Sequence, residues 1–289
     1  MLWKQALHSV GRALHRFSGE AGGPRIGVAL GGGFARGVAH IGVLRALERH
    51  RIPIHCIAGV SAGSVVAAAY ACGMDPDELE DLAKSIKFRH VAQWTINWMG
   101  MLDSSRMDSF LRSAFKVDRF EKARIPLAVV ASDLRTGLPA VYKKFGDVIV
   151  PVRASCSYPG LFKPVEYQQR VLVDGMVAME VPAKPLIEMG ATRVLAVSLP
   201  GNSELADPTN LAQVVNRCFQ ILSSRTSHEW MRHSDLVISP DVGDNGWDSF
   251  EDVRGMIAAG ERAVDAALPQ LLEWFPRPTD KAGIVEESL

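Results

Sequence analysis

Short apolar runs alternate with amphipathic stretches along most of the chain, and this alternation predicts its elements. Residues 25–30, 54–60, 125–134, 193–199 and 235–240 are compact apolar runs bounded by turn residues, and each reads as a buried strand. Between them, 38–49 places Ile41, Leu44 and Leu47 on one face of a helix, and Ala62–Cys72 is an Ala-rich helix. Residues 75–86 open a third helix, with Asp75 as N-cap, Pro76 at the first helical position and acids in the first turn. Helices are also expected near 105–116, 147–155, 182–190, 209–226 and 250–274. A strand over 138–146 returns from 125–134, and another over 170–175 ends in Asp174-Gly175. The segment "CSYPGLFKPVE", 156–166, reads as a rigid loop. Strand, helix, strand, helix argues for parallel βαβ units joined by right-handed crossovers, hence an α/β domain.

The ends read differently. In residues 2–17, Leu2, Trp3, Ala6, Leu7, Val10, Leu14 and Phe17 recur at helical spacing, while Lys4, His8, Arg12, His15 and Arg16 form a basic face. This composition suits a peripheral membrane contact, and equally a helix packed on the domain or on a second subunit. "GEAGGP", 19–24, is a linker. The chain thus divides into an amphipathic helix and linker (1–23), one main domain (24–275) and a polar tail (276–289). Residues 88–102, with Trp94, Trp98, Met99 and Met101, make either ordinary packing or an apolar flap at a site mouth, and packing is favoured.

The stretch from Ile52 to Met74 contains no Asp, Glu, Lys or Arg and is long enough to span a bilayer. Pro53, His55, Ser61 and Ser64 are scattered through it, and it divides at Gly59–Gly63. A strand, a turn and a helix explain it better than a span.

Composition narrows the class. Lys+Arg and Asp+Glu are both 32, so net charge is zero and nothing global points to nucleic acid. Cys56, Cys72, Cys156 and Cys218 are far apart and form no CxxC pair, which argues against a disulfide framework or a zinc site. Free thiols suit a reducing, cytoplasmic compartment, with peripheral contact at the inner membrane surface if the N-terminal helix is interfacial. No secretory signal is evident at the N-terminus.

The chemistry concentrates in three places. "GVSAG" puts Ser61 between Gly59 and Gly63 at a predicted strand-to-helix turn, the context of a nucleophile elbow. The helix that follows offers unpaired N–H groups and a positive dipole end. "GGGFARG", 31–37, follows the first strand. It could cradle a dinucleotide pyrophosphate or present N–H groups to an oxyanion. The dinucleotide reading is weak, because the third glycine of the usual fingerprint is misplaced and no acid ends the second strand. Arg36 either holds this loop or meets an anionic headgroup.

A nucleophilic serine needs a base. Downstream of Ser61 the histidines are His90, His228 and His233, none at a clear strand end, and each reads as a surface residue. Asp174 closes an apolar strand where open α/β sheets line their crevices. Its carboxylate is a weak base unless partly desolvated. His40 reads as structural, and Asp133, Arg135 and Thr136 as braces of the site.

Together, "GGGFARGVAHIGVLRALE", "GVSAGS", "ASDLRTG", "ASCSYPGLFKPV" and "VDG" resemble the ordered blocks of patatin-like phospholipases, nearest the bacterial branch akin to neuropathy target esterase. The resemblance covers about residues 25–200. It implies a three-layer α/β/α fold with a mostly parallel central sheet and a Ser–Asp dyad without His. It also implies acyl-ester hydrolysis of phospholipids or lysophospholipids, with neither metal nor cofactor. On this resemblance Ser61 is the nucleophile and Asp174 the base, with Gly31, Gly32, Gly33 and Arg36 in an oxyanion loop. Two departures stand out: Phe34 occupies a place where many members have glycine, and Met176 follows the Asp-Gly pair where Gly or Ala is usual. Besides a hydrolase, the sequence leaves open an acyltransferase with the same dyad and a membrane-associated regulatory protein with a degenerate site. It also leaves a homo-oligomer open.

Overall fold

The computed structural model describes residues 23–85, 93–94, 102–199, 207–209, 211–243 and 252–276. The expected N-terminal helix, nearly all of its linker, most of 88–102, His90 and the tail after Pro276 lie outside the described residues.

The chain enters through β1 (Ile26–Leu30), a 3₁₀ turn (Phe34–Val38) and α1 (Ala39–Arg49), then β2 (Cys56–Val60) and α2 (Ala62–Ala71). The charge-free stretch is therefore a strand and a helix that meet at Ser61, not a membrane span. Helix α3 (Pro76–Ser85) starts as expected: Asp75 Oδ1 accepts from the N–H groups of Asp77 and Glu78, at 3.0 and 2.8 Å. Glu78 Oε2 returns the contact by accepting from Asp75 N–H at 2.9 Å, a capping box.

A small ribbon, β3 (Gln93–Trp94) with β4 (Leu102–Asp103), precedes α4 (Ser105–Ala114). Strand β5 (Leu127–Asp133), β6 (Pro139–Lys143), α5 (Ile149–Ser155), β7 (Val165–Tyr167) and β8 (Arg170–Asp174) follow. Then come α6 (Ala183–Glu188), β9 (Arg193–Val197), α7 (Leu211–Met231), β10 (Leu236–Ile238) and α8 (Val253–Leu272).

The main sheet has eight strands in the order β10-β9-β1-β2-β5-β8-β7, with β6 also on β5. The run from β10 to β5 is parallel, and β6, β7 and β8 add antiparallel pairs. The faces differ in side-chain size. Ile26, Val28, Leu30, Ile57, Leu127, Val129, Leu195 and Val197 pack into one core with α1, α2 and α8. Ala29, Cys56, Ala58, Ala128, Val194 and Ala196 face a smaller core closed by Leu186 of α6 and Trp230 of α7. Helices thus cover both faces of the sheet, an α/β architecture.

Three local features differ from expectation. Residues 34–38 form a 3₁₀ turn rather than open loop. Strand β7 takes up the end of the expected rigid loop, and a two-residue turn, Gln168-Gln169, joins it to β8. Both glutamines have positive φ, 48° and 61°, a geometry that favours Asn-Gly and is unmarked by Gln-Gln. Helix α7 runs past the polar "SSRTS" stretch because Trp230 anchors its last turn in the core.

Helices α1 and α8 cross with almost no space between them. A Cβ on Gly42 would overlap the carbonyl oxygen of Ile257. Arg49 then clasps α8 through Glu261 and Asp265, at 2.8 and 2.7 Å. Gly42→Ala should force the helices apart, lowering stability by about 2 kcal/mol or more and the melting midpoint by several degrees. A variant that melts with the wild type would show that the crossing tolerates a methyl group.

Candidate active site

The carboxyl ends of β1 and β2 place the two loops that the sequence singles out. Ser61 follows β2 directly, with φ 52° and ψ −129°, a left-handed backbone that costs a serine on the order of 1–3 kcal/mol. Several bonds hold it there. Its N–H donates to Ser155 Oγ at 2.8 Å, and that hydroxyl donates to Val130 O at 2.6 Å. Ser64 Oγ donates to Ser61 O at 2.7 Å. The turn closes only because Gly59 and Gly63 lack side chains: a Cβ on Gly59 would meet the backbone of Gly63 and Ser64, and one on Gly63 the carbonyls of Leu30 and Gly31.

Asp174 arrives from the antiparallel side. Strand β8 pairs it with Ala131 of β5, and its N–H donates to Ser157 O at 2.9 Å. Ser132 Oγ donates to Asp174 O at 2.8 Å and accepts from Ala178 N–H at 3.0 Å. The carboxyl is 1% exposed. Oδ1 accepts from Met176 N–H at 2.9 Å. Oδ2 completes no hydrogen bond of ordinary geometry, although Ser61 is near enough to act on the carboxyl as its hydrogen-bonding side chain. Burial raises the carboxyl to about 7, against the smaller opposing effects of Met176 N–H and then Ser61. At neutral pH the group is therefore poised between acid and base.

The glycine loop is less uniform than its sequence. Gly31 N–H donates to Val197 O at 3.0 Å and Gly32 N–H to Glu180 O at 3.3 Å, so these two stitch the loop to the sheet. Gly33 N–H makes no hydrogen bond among the described residues, and neither do the N–H groups of Ala62 and Gly63 at the start of α2. His40, fully buried, donates Nε2–H to Gly31 O at 2.8 Å, with its ring held neutral by burial at a pKa of about 4. It braces the loop, as expected of a structural residue. Arg36 is half-buried beside the loop, and burial lowers its pKa.

Both sequence departures find places. Phe34 has φ 51°, the left-handed region in which glycine is easier, and its ring stacks edge-on against Tyr158 with centroids 4.8 Å apart. Met176 lies over Gly32, where a Cβ would strike its Cγ and Sδ atoms. Asp133, Arg135 and Thr136 do not brace the site. Asp133 accepts from Arg135 N–H at 3.0 Å and Thr136 Oγ1 accepts from Leu138 N–H at 3.3 Å, which shapes the β5–β6 turn. The bracing falls to Ser64, Ser132, Ser155 and Ser157, small polar residues within apolar runs. His228 is exposed on α7, where Glu229 is its neighbour. His233, partly buried, lines a cavity of about 550 Å³ with Trp230 and Lys184. Burial and the charge of Asp174 both raise the Cys156 thiol, which removes it as a competing thiolate.

A groove of about 500 Å³ runs beside the loop, lined by Gly32, Gly33, Phe34, Arg36, Met176 and Phe219 among others. Ser61 and Asp174 are buried and do not line it. Tyr158 links the two levels: its phenol feels the charge of Asp174, while its ring meets Phe34 and, at 5.2 Å, Phe219 of α7. Among the described residues no cluster of three or more His, Cys, Asp or Glu is arranged to hold a metal ion.

Comparison with known proteins finds a family model described as patatin-like phospholipase that matches residues 28–187. An uncharacterized NTE family protein of Mycobacterium tuberculosis is 34% identical over 208 residues, covering 70% of this chain and 57% of that protein. A protein named lysophospholipase NTE1, of Cryptococcus neoformans, is 32% identical over 183 residues, covering 61% of this chain and 11% of that one. The chain therefore spans little more than half of the mycobacterial relative. The crystal structure of VipD from Legionella pneumophila superposes with a TM-score of 0.56 at 14% identity, covering 88% of this chain and 67% of that one, a likeness of fold.

The buried carboxyl also makes stability depend on pH. Its folded pKa lies above the ordinary 3.8, so the folded state holds the proton more tightly. That contribution is complete below pH 3.8 and is lost as pH rises through about 7. Asp174→Asn removes the titration, so its stability relative to wild type should climb between pH 4 and pH 8 by roughly 4 kcal/mol, then level off. Denaturant unfolding across that range would measure it, and a difference flat with pH would mean the carboxyl ionises freely.

Proposed function

We propose that this chain, which belongs to the patatin-like phospholipase family, is a serine acyl hydrolase that cleaves carboxylic ester bonds of phospholipids or lysophospholipids. The observation that carries the reading is one pairing. A serine in a left-handed turn faces a buried carboxyl that is raised to about 7 and has an oxygen free of other partners.

The Asp174 carboxylate takes the proton of Ser61 Oγ as Oγ attacks the ester carbonyl. The oxygen that gains charge is met by Gly33 N–H and Ala62 N–H, two donors without hydrogen-bond partners among the described residues. The tetrahedral adduct then collapses. The bond to the lipid alcohol breaks, Asp174 returns its proton to that oxygen, and an acyl ester remains on Ser61. Water attacks this ester with Asp174 again accepting the proton, and the fatty acid leaves as Ser61 recovers its hydrogen. No histidine is needed, because burial already brings the base close to the working pH. Gly31 and Gly32 hold the loop in register, and the groove beside Phe34 and Met176 receives the acyl chain or headgroup. A degenerate, purely regulatory site loses its motive here, since neither Phe34 nor Met176 occupies the place of a reacting group.

A fluorophosphonate probe should modify Ser61 and no other serine, and Ser61→Ala should lower esterase turnover by at least about a thousandfold. Because the base must be ionised, kcat/KM should rise with pH through about 7 and plateau above it. Full turnover by Ser61→Ala would sink the reading, as would a well-folded protein that takes no probe.

A further inference from the structure

Helix α7 has two faces of different character. Its inner side carries Phe219 against Tyr158, Asn216 Oδ1 accepting from the Tyr158 hydroxyl at 3.2 Å, and Trp230 Nε1 donating to Glu180 Oε2 at 3.1 Å. Among its described side chains Trp230 is the one that is fully buried. On the opposite side Val214, Cys218, Ile221 and Leu222 form one stripe at helical spacing. Val214, Ile221 and Leu222 are 42%, 48% and 58% exposed, and Cys218 is exposed too. Such a stripe of large apolar groups in water marks a contact surface.

Three observations say what it contacts. Between Asp207 and Glu229 the sequence contains no acid, while Arg217 and Arg225 lie within the helix and Arg225 is exposed. An apolar stripe flanked by cations suits an anionic, apolar interface. Ile221 belongs both to the stripe and to the wall of the groove beside Gly33 and Met176, so the stripe reaches the edge of the groove. Leu134 and Leu138, 53% and 64% exposed with the exposed Arg135 between them, stand at the carboxyl end of β5, the end of the sheet that carries Ser61.

We propose that the outer face of α7 is the surface by which this protein rests on an anionic lipid bilayer, bringing the edge of the groove at Ile221 to the membrane. The proposal builds on the reading that the substrate is a membrane lipid. The contact is peripheral: among the described residues no helix is long and apolar enough to cross a membrane. Val214, Ile221 and Leu222 enter the headgroup boundary, and Arg225 meets the anionic phosphates at its edge.

The test uses the full chain and vesicles of phosphatidylcholine, with or without an equal part of phosphatidylglycerol. Wild type and Ser61→Ala should float with the anionic vesicles, and salt should weaken the binding. Val214→Asp/Leu222→Asp should bind about tenfold or more weakly, and Arg225→Glu several-fold more weakly. An environment-sensitive fluorophore on Cys218 of the otherwise unaltered protein should shift to the blue on anionic vesicles, so the result stands even where the double variant unfolds. Unchanged flotation of a folded double variant would overturn the proposal and move the contact elsewhere, residues 2–17 included. An unshifted Cys218 label on bound protein would overturn it too. So would a dimer that the double variant disperses, since the stripe would then be a subunit interface, or a stripe covered by a protein partner while vesicles are ignored. Wild type that ignores vesicles yet is labelled at Ser61 by fluorophosphonate would end the docking proposal and leave the hydrolase standing.

Discussion

Backbone passes backbone at the carboxyl edge of this sheet with no side chain between, and the site depends on that constraint. The turn at Ser61 closes over Gly59 and Gly63, and Gly175 sits against Val130 O. Side chains at these points would push apart the strands that carry the serine, the loop and the carboxyl. The chain tolerates the resulting strain at Ser61 because Ser64 and Ser155 tie down its peptide groups.

The second constraint is electrostatic. A carboxyl at 1% exposure is held by strand pairing and by Ser132 and Ser157 rather than by a cation. A paired cation would keep it a weak base, whereas burial alone moves it toward neutral pH at some expense of stability. The same environment raises the neighbouring Cys156 and Tyr158, which keeps both protonated beside Asp174. Tyr158 then links this buried level to α7 through Asn216 and Phe219. Phe34, Tyr158 and Phe219 thus form one chain of ring contacts between the glycine loop and α7.

Much of this was legible in the linear chain because the signals are local. A serine between glycines at a strand-to-helix boundary, a glycine run after the first strand and an Asp-Gly closing an apolar strand are short patterns, and each carries its own geometry. The β7–β8 turn was not legible, since Gln168 and Gln169 adopt positive φ without the residues that announce it. Asp133, Arg135 and Thr136 looked like site braces because they end a strand beside it, yet they shape their own turn, and Arg135 also reaches across to Gln169 O of the β7–β8 turn.

The sequence by itself determined the order of the main strands and helices, the parallel βαβ run, the family and the three candidate site segments. Those follow from periodicity and from residue types with narrow conformational roles. Tertiary structure alone decided which glycine N–H groups remain unpaired, because Gly31 and Gly32 are engaged by Val197 and Glu180, far along the chain. It also decided that buried serines brace the pair, that Asp174 is desolvated enough to approach neutral pH, and that α7 turns an apolar stripe outward. Each of these depends on what lies across a gap in space, which spacing along a chain does not encode.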